Sequence, residues 1–264
     1  MKDLKDTKIG FIGFGNMGSA IAEGLLKSGA VQPSQLYACA GRFEKLQDRC
    51  AAMGGIQACR SAAELADAAE LIFVAVKPGK VQEVLTPILS KLAGKLLVTV
   101  TWGLYFASYE ALLPKETHVL CTIPNTPVAV GKGIFVTESR HSLTDEEYDF
   151  VSALLSKVGL VVPVETEKLG IAGTIAGCGP AYAAMFTEAM ADAGVLRGLP
   201  RQTAYQLVSG MLQGTAALQL STGTIPAAMK DAVCSPGGST IKGVAVLEEK
   251  GFRGAVIDAI LAVK

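Results

Sequence analysis

The stretch "KIGFIGFGNMGSAIAEGLLK" (8–27) decides the fold. A short β-rich run reaches Gly13, and an amphipathic helical pattern begins almost at once. Between them stands Gly13-x-Gly15-x-x-Gly18. Gly13 permits a tight turn, Gly15 lets a pyrophosphate approach the backbone, and Gly18 allows close packing of helix on strand. Phosphates there would meet the free N–H groups and positive dipole of a helix start. The strand, the helix and the N-terminal position that this motif requires are all present. It reads as a dinucleotide-binding turn.

Outward from it, β-rich runs alternate with helical ones. "QLYACA" (35–40), "LIFVAV" (71–76), "LLVTVT" (96–101) and "HVLCTIP" (118–124) predict buried strands. Amphipathic stretches at 16–28, 43–53, 62–68, 79–92 and 106–112 predict the helices between them. Such alternation implies an α/β fold, a doubly wound, mostly parallel sheet of the Rossmann kind covered on both faces. "GKGIFVTES" and "GLVVPVE" add one strand each. "TDEEYDFVSALLSK" (144–157) predicts a helix, with Thr144 and Glu147 as a capping box and Gly159 as its stop signal.

Beyond about residue 165 the pattern turns helical throughout, rich in Ala and Gly. The domains expected are therefore 1–165, nucleotide-binding, and 166–264, helical. Gly210 and Gly214, four apart, would let helix backbones approach closely. Helices apolar nearly all round need partners on several sides, so a second subunit is expected to pack against them.

Half of the 264 residues are apolar, 18% are charged and the formal net charge is zero. That leaves no electrostatic footprint for nucleic acid or an anionic membrane. The start "MKDLKDTK" lacks a signal-peptide apolar core, and no apolar run approaches a membrane span in length. A soluble, cytoplasmic protein is expected. Six scattered cysteines show no metal-ligand spacing, so no metal is expected and the thiols read as reduced and mostly buried. Of the two histidines, His118 looks strand-bound and His141 looks like a surface loop residue. Neither suits acid–base chemistry.

No Asp or Glu closes the second strand, where an NAD-specific site would hold the ribose. Arg42 follows instead, placed to pair with a 2′-phosphate, which favours NADP over NAD. Lys77 and Pro78 end the 71–76 strand at the ligand edge of the sheet. "IPNTPVAVGKG" (123–133) makes a rigid loop at that edge, with the Asn125 amide near the expected nicotinamide. Glu188 and Asp192, one turn apart, read as helix-end or interface features rather than as an acid/base pair.

These elements together resemble pyrroline-5-carboxylate reductase nearly end to end. The blocks that carry the likeness are "GFIGFGNMGSAI", "AVKP", "IPNTPVAVGKG", "GCGPAY", "EAMADAGVLRGLPR" and above all "KDAVCSPGGSTIKGVAVLEEKGFR". The resemblance implies hydride transfer from NADPH, with NADH possible, to the cyclic imine 1-pyrroline-5-carboxylate, giving L-proline. It also implies a helical dimerisation domain, an active site shared between subunits, and homodimers assembling into a decamer.

By position its cofactor contacts fall on Ile12, Gly13, Phe14, Gly15, Asn16, Met17, Gly41, Arg42, Ala75, Val76, Lys77, Pro78, Thr101 and Trp102, to which the glycine motif adds Gly18. Its substrate contacts fall on Ser235, Gly238, Ser239 and Thr240. The chain departs from the family at Cys178, usually Ser, at Ala62, where some members carry a cofactor-binding Asn, and at Trp102, usually small. Trp102, the only tryptophan, reads either as a packed loop aromatic or as a wall beside the nicotinamide.

An iminium nitrogen already carries its proton, so the expected reaction demands positioning rather than a strong acid. "SPGGST" (235–240) suits that demand. Gly237 and Gly238 would turn consecutive N–H groups inward as an anion nest, ahead of a helix starting near Thr240. Ser235 would add a hydroxyl for the carboxylate, and Thr240, as the family's equivalent threonine does, would meet the ring nitrogen. The alternatives are a reductase of a related cyclic imino acid and a non-catalytic NADP(H)-binding sensor. A β-hydroxyacid dehydrogenase would need a lysine in "GIAGTIAGCGPAYAAMFTEAMADAG", which has none.

Overall fold

The computed structural model describes residues 4–263. Eight strands form one sheet: β1 Ile9–Ile12, β2 Leu36–Cys39, β3 Gln57–Cys59, β4 Leu71–Val74, β5 Leu96–Thr99, β6 His118–Pro124, β7 Gly133–Glu138 and β8 Gly159–Val164. Their order is β3-β2-β1-β4-β5-β6-β7-β8. Pairing is parallel everywhere except between β6 and β7. The chain therefore leaves β1 to one side, through β2, and returns on the other side at β4. That reversal opens a crevice at the carboxyl ends of β1 and β4.

Seven helices accompany the sheet: α1 Asn16–Lys27, α2 Phe43–Ala52, α3 Ala62–Ala68, α4 Val81–Leu85, α5 Leu89–Leu92, α6 Phe106–Leu112 and α7 Asp145–Leu155. Strand residues alternate between the two faces. Phe11 and Phe73 stack at 5.0 Å under Ile21 and Leu25 of α1, with Leu46 of α2 and Val151 and Leu154 of α7 in the same core. Ile12, Ile72 and Val74 point the other way, toward Leu65 of α3, Leu85, Leu92 and Tyr109. This period-two alternation buries both faces, as a parallel sheet requires.

One strand was not foreseen, and three local expectations need correction. The three-residue β3 is too short and too polar to announce itself, and it exists because it pairs with β2. The helix expected over 79–92 is broken into α4 and α5 by a 3-10 turn at Thr86–Ile88 that contains Pro87, a residue with no N–H to continue the ladder. Gly159 is no helix stop. It opens β8, where a methyl would stand 2.6 Å from the Gly133 carbonyl, so its missing side chain serves a close strand approach. His141 is half-buried, with its ring stacked on Tyr148 at 4.8 Å.

After β8 the chain is helical: α8 Thr166–Leu196, α9 Arg201–Thr222, α10 Pro226–Ala232, α11 Ser239–Glu249 and α12 Phe252–Leu261. Two compact units divide between Cys178 and Gly179, part-way along α8. α8 overturns the expectation about apolar runs: by length and composition alone its 31 residues could cross a membrane. Its apolar surface recurs along the second unit, where Met185, Leu196, Leu207, Leu218, Leu220 and Ile257 are exposed in the single chain. Gly210 and Gly214 also face open space. Asp192 pairs with Arg201 in that unit, as a helix-end feature would.

At α7 the capping box forms as expected, with Glu147 N–H on Thr144 Oγ1 and Thr144 N–H on Glu147 Oε2. The same carboxylate meets His118 Nδ1 at 2.6 Å. Burial alone would raise the Glu147 pKa, but the Thr144 N–H and the His118 ring outweigh it and hold the value below the ordinary 4.5. A depressed carboxylate contributes stability above its unfolded pKa and loses it as pH falls through the folded value. Glu147→Gln is expected to lower the melting temperature at pH 7 by a few degrees, about 1 kcal/mol. The gap should close as pH falls below 4.5, which melting curves of both proteins across pH will check.

Candidate active site

The glycine turn at the crevice has the geometry its spacing demands. Gly13 sits at φ +94°, and a methyl there would lie 2.6 Å from the Ala75 carbonyl. A methyl at Gly18 would strike the Gly13 carbonyl at 2.4 Å, while at Gly15 there is nothing within 4 Å. The open position is thus also the N-cap of α1, and no side chain caps it. Orphan N–H groups of α1 face a space that a Cβ would otherwise begin to fill, which fits a bound phosphate.

Beside the turn lies a cavity of about 320 Å³ lined by Phe14, Gly15, Asn16, Ala40, Gly41, Arg42, Lys45, Leu46 and Arg49. Three cations share it, and no described ion pair engages any of them. Arg42 and Lys45 are exposed. Arg49 donates to the Phe14 carbonyl at 2.9 Å and so holds α2 against the glycine turn. Only Arg42 was expected from the sequence. The signal for the others was there: positions 42, 45 and 49 fall on one helix face.

The remaining cofactor candidates stand at neighbouring strand ends. Ile12 closes β1, Met17 lies in the first turn of α1, and Ala75, Val76, Lys77 and Pro78 follow β4. Ala75 N–H donates to the Ile12 carbonyl at 2.8 Å, which ties the two edges of the crevice together. Thr101, after β5, is buried and spends its hydroxyl on the Val76 carbonyl at 3.2 Å. Burial pushes the Cys39 and Cys121 thiols up to about 12, so neither is a nucleophile at neutral pH. All six cysteines are free, four of them buried.

Trp102 is 38% exposed, and its buried edge seats on α8. A methyl at Gly173 would stand 2.8 Å from Trp102 Cζ3 and 2.6 Å from Ile123 Cδ1; at Gly177 it would clear the indole by 3.7 Å. The packed-aromatic reading therefore holds for one edge of the ring, and the exposed remainder lies at the ligand edge of the sheet. Glu138, 1% exposed, accepts from Phe106 N–H at 2.7 Å and from Thr166 Oγ1 at 2.6 Å. It pins the starts of α6 and α8 on either side of the Trp102 loop, and nothing in the sequence marked it out. Asn125 is buried with both ends of its amide engaged: Oδ1 accepts from Ile134 N–H at 2.9 Å, and Nδ2 donates to the Ala176 carbonyl at 3.0 Å.

The substrate candidates lie in the second unit. Gly237 has φ +68°, and Gly238 is the N-cap of α11 with no side-chain cap. The nest expected of Gly237 and Gly238 is altered, because Gly238 N–H already donates to the Ser235 carbonyl at 3.0 Å. The donors left open are the N–H groups of Ser239, Thr240 and Ile241, in the first turn of a helix that starts one residue earlier than expected. Ser235, Ser239 and Thr240 are exposed around them. No group of three or more potential metal ligands occurs among the described residues.

Comparison with known proteins bears directly on this arrangement. Residues 166–264 match the model of the pyrroline-5-carboxylate reductase dimerisation domain, and residues 8–103 match that of the coenzyme F420-dependent NADP oxidoreductases. Pyrroline-5-carboxylate reductase of Treponema pallidum is 48% identical over 96% of this chain and 97% of its own. The chain belongs to the pyrroline-5-carboxylate reductase family. The Escherichia coli family member is 40% identical over 97% of this chain and 95% of its own. A Plasmodium falciparum pyrroline carboxylate reductase, solved with NADP bound, superposes with a TM-score of 0.87 at 30% identity, covering 99% of this chain and 97% of that one. A 3-hydroxyisobutyrate dehydrogenase from Mycobacterium tuberculosis, 18% identical with a TM-score of 0.51, shares the fold alone. The chain is accordingly an oxidoreductase acting on a CH–NH group, with an N-terminal NADP-binding domain and a C-terminal helical dimerisation domain.

The Trp102 seat yields a contrast. Alanine gains about 1 kcal/mol over glycine in a helix interior, whereas overpacking costs about 1–3 kcal/mol. Gly177→Ala is expected to leave the melting temperature unchanged or raise it. Gly173→Ala is expected to lower it by several degrees and to red-shift the emission of the single tryptophan. Equal behaviour of the two variants would remove the seat.

Proposed function

We propose that the protein reduces 1-pyrroline-5-carboxylate to L-proline with NADPH, accepting NADH less well. The observation that carries this reading is the uncapped start of α11, with three open N–H groups beside the hydroxyls of Ser235, Ser239 and Thr240 and no titratable side chain within 235–240. Such a site fits a small carboxylate whose electrophile is already protonated. The bound nicotinamide would supply the hydride.

The chain's own residues do the holding. The N–H groups at Gly15 and the start of α1 would take the pyrophosphate, with Asn16 and Met17 beside it. Arg42 and Lys45 would flank the 2′-phosphate at Gly41, and Arg49 keeps the turn in shape through Phe14. Ala75 to Pro78 would border the ribose, with Lys77 reaching its oxygens, and Thr101 and Trp102 the nicotinamide. On the substrate, Ser235 and the N–H groups of Ser239 and Thr240 would hold the carboxylate, and Gly237 and Gly238 shape the turn that presents them. The Thr240 hydroxyl would meet the ring nitrogen and keep the iminium carbon in line for attack, so that catalysis is positioning against a fixed positive helix end.

The boundary between a nucleotide-binding domain, 1–165, and a dimerisation domain, 166–264, is part of this proposal, as are a cytoplasmic location and a decamer built from the dimers. The exposed apolar side chains of α8, α9 and α12 support burial of that surface against further copies. Light scattering separates dimer from decamer.

Thr240→Ala is expected to lower kcat/KM for the five-membered imine at least ~10-fold, about 1.4 kcal/mol, with NADPH affinity unchanged. Full activity in that variant would remove Thr240 from the site, and turnover of 3-hydroxyisobutyrate instead would overturn the substrate class. Arg42→Ala with Lys45→Ala is expected to weaken 2′,5′-ADP about tenfold while 5′-ADP changes less than about twofold, as calorimetry will read.

A further inference from the structure

Proline has no N–H, so within a helix it leaves the carbonyl four residues earlier without its partner. α8 contains one proline, Pro180, and the carbonyl it strands belongs to Ala176. That carbonyl accepts from Asn125 Nδ2 at 3.0 Å. Both Asn125 and Ala176 are buried, at 6% and 5% exposure, so without the amide the carbonyl would be orphaned away from water. We infer that Asn125 is a positioning residue: its amide fills the hydrogen bond that Pro180 removes from α8, and in doing so fixes the helix face on which Trp102 sits.

The geometry extends in both directions from that bond. On the strand side, Asn125 Oδ1 takes Ile134 N–H at 2.9 Å, and Asn125 N–H donates to the Ile134 carbonyl at 3.2 Å, so the residue is locked to β7 by backbone and side chain together. On the helix side, Ala176 lies between Gly173, against the indole, and Gly177, one turn on. Ile123, two residues before Asn125, packs on Leu169 and Ala176 and touches the same Gly173 position. A single amide thus joins the end of β6, the start of β7 and the helix that carries the tryptophan. An amide is also the side chain that fits: one end must accept from an N–H and the other must donate to a carbonyl. Asn125 was expected near the nicotinamide; both ends of its amide are engaged by protein, so in that place it would act by supporting the loop that borders the position.

Four proteins test this: wild type, Asn125→Ala, Pro180→Ala and the double variant. Alanine in place of the proline restores the helical N–H, so the need for the amide falls. Asn125→Ala is expected to lower the melting temperature by about 5 °C or more when Pro180 is present, and by less than half as much in the Pro180→Ala background. Equal losses in the two backgrounds would overturn the coupling.

The second readout is acrylamide quenching of Trp102, the only tryptophan, well below the melting temperature. Asn125→Ala should raise the quenching constant about twofold, and Pro180→Ala should bring it back toward wild type. Unchanged quenching in Asn125→Ala would leave Asn125 a merely structural residue. Should the alanine variant not fold, Asn125→Ser, uncharged and too short to carry a donor to Ala176, takes its place, and the same cycle applies. A third arm, kcat with saturating NADPH, rests on the proposed reduction: it should fall about tenfold in Asn125→Ala and recover at least threefold in the double variant. Failure of the wild type to reduce the imine would strike that proposal alone, since melting and quenching decide the inference without it.

Discussion

The structure depends on the contact between the Gly13 turn and the end of β4. There the Ala75 carbonyl occupies the place of any side chain at Gly13, and the Gly13 carbonyl occupies that of any side chain at Gly18. Backbone packed on backbone at this distance leaves no slack, so the first helix can enter at only one angle. That angle aims the start of α1 across the crevice where the sheet changes direction. The uncapped N–H groups, the cavity under Arg42 and Lys45, and the tie from Arg49 to Phe14 all follow from it. A favourable site for a phosphate exists because Gly13 and Gly18 let backbone pack on backbone while Gly15 leaves the space in front of the helix open.

What could be read from residues alone was what has a local physical cause. The glycine turn, the strand runs and the capping box at Thr144 each carry their reason within a few positions, and each stands where its pattern put it. Expectations failed where the cause lies elsewhere in the chain. β3 is a strand only because β2 offers an edge. Gly159 looked like the end of a helix, yet its constraint comes from Gly133 on a neighbouring strand. Glu138 has nothing in its neighbourhood to mark it, and Asn125 stood out for its loop but not for its bonds, because their partners at Thr166 and Ala176 are distant in sequence. Pro87 and the 42-45-49 face were legible and were missed: the first breaks a helix wherever it stands, and the second is a simple periodicity.

The two units divide the labour along chemical lines. The first, up to Cys178, buries its apolar residues on both sides of a sheet and gathers Arg42, Lys45 and Arg49 around one cavity. The second leaves large apolar side chains exposed on several helices in the single chain. Its family is named for dimerisation, and the mismatch between a helix apolar all round and the neighbours it has explains why. The same property lets α8 meet the length and composition of a membrane span: apolar surface waiting for a protein resembles apolar surface waiting for lipid.

The loop from Ser235 to Thr240 holds hydroxyls, glycines and a proline, and no group able to give up or accept a proton near neutrality. Selectivity in such a site acquires a chemical source in addition to shape. On the proposed reading a ketone or aldehyde of similar size would need a proton as its oxygen became an alkoxide, and residues 235–240 offer it hydrogen bonds but no group that gives up a proton near neutrality. An iminium brings its own charge. The loop of the proposed site would therefore discriminate by withholding: an electrophile that arrives protonated would need only to be placed, and one that needs a proton would gain less from being held there.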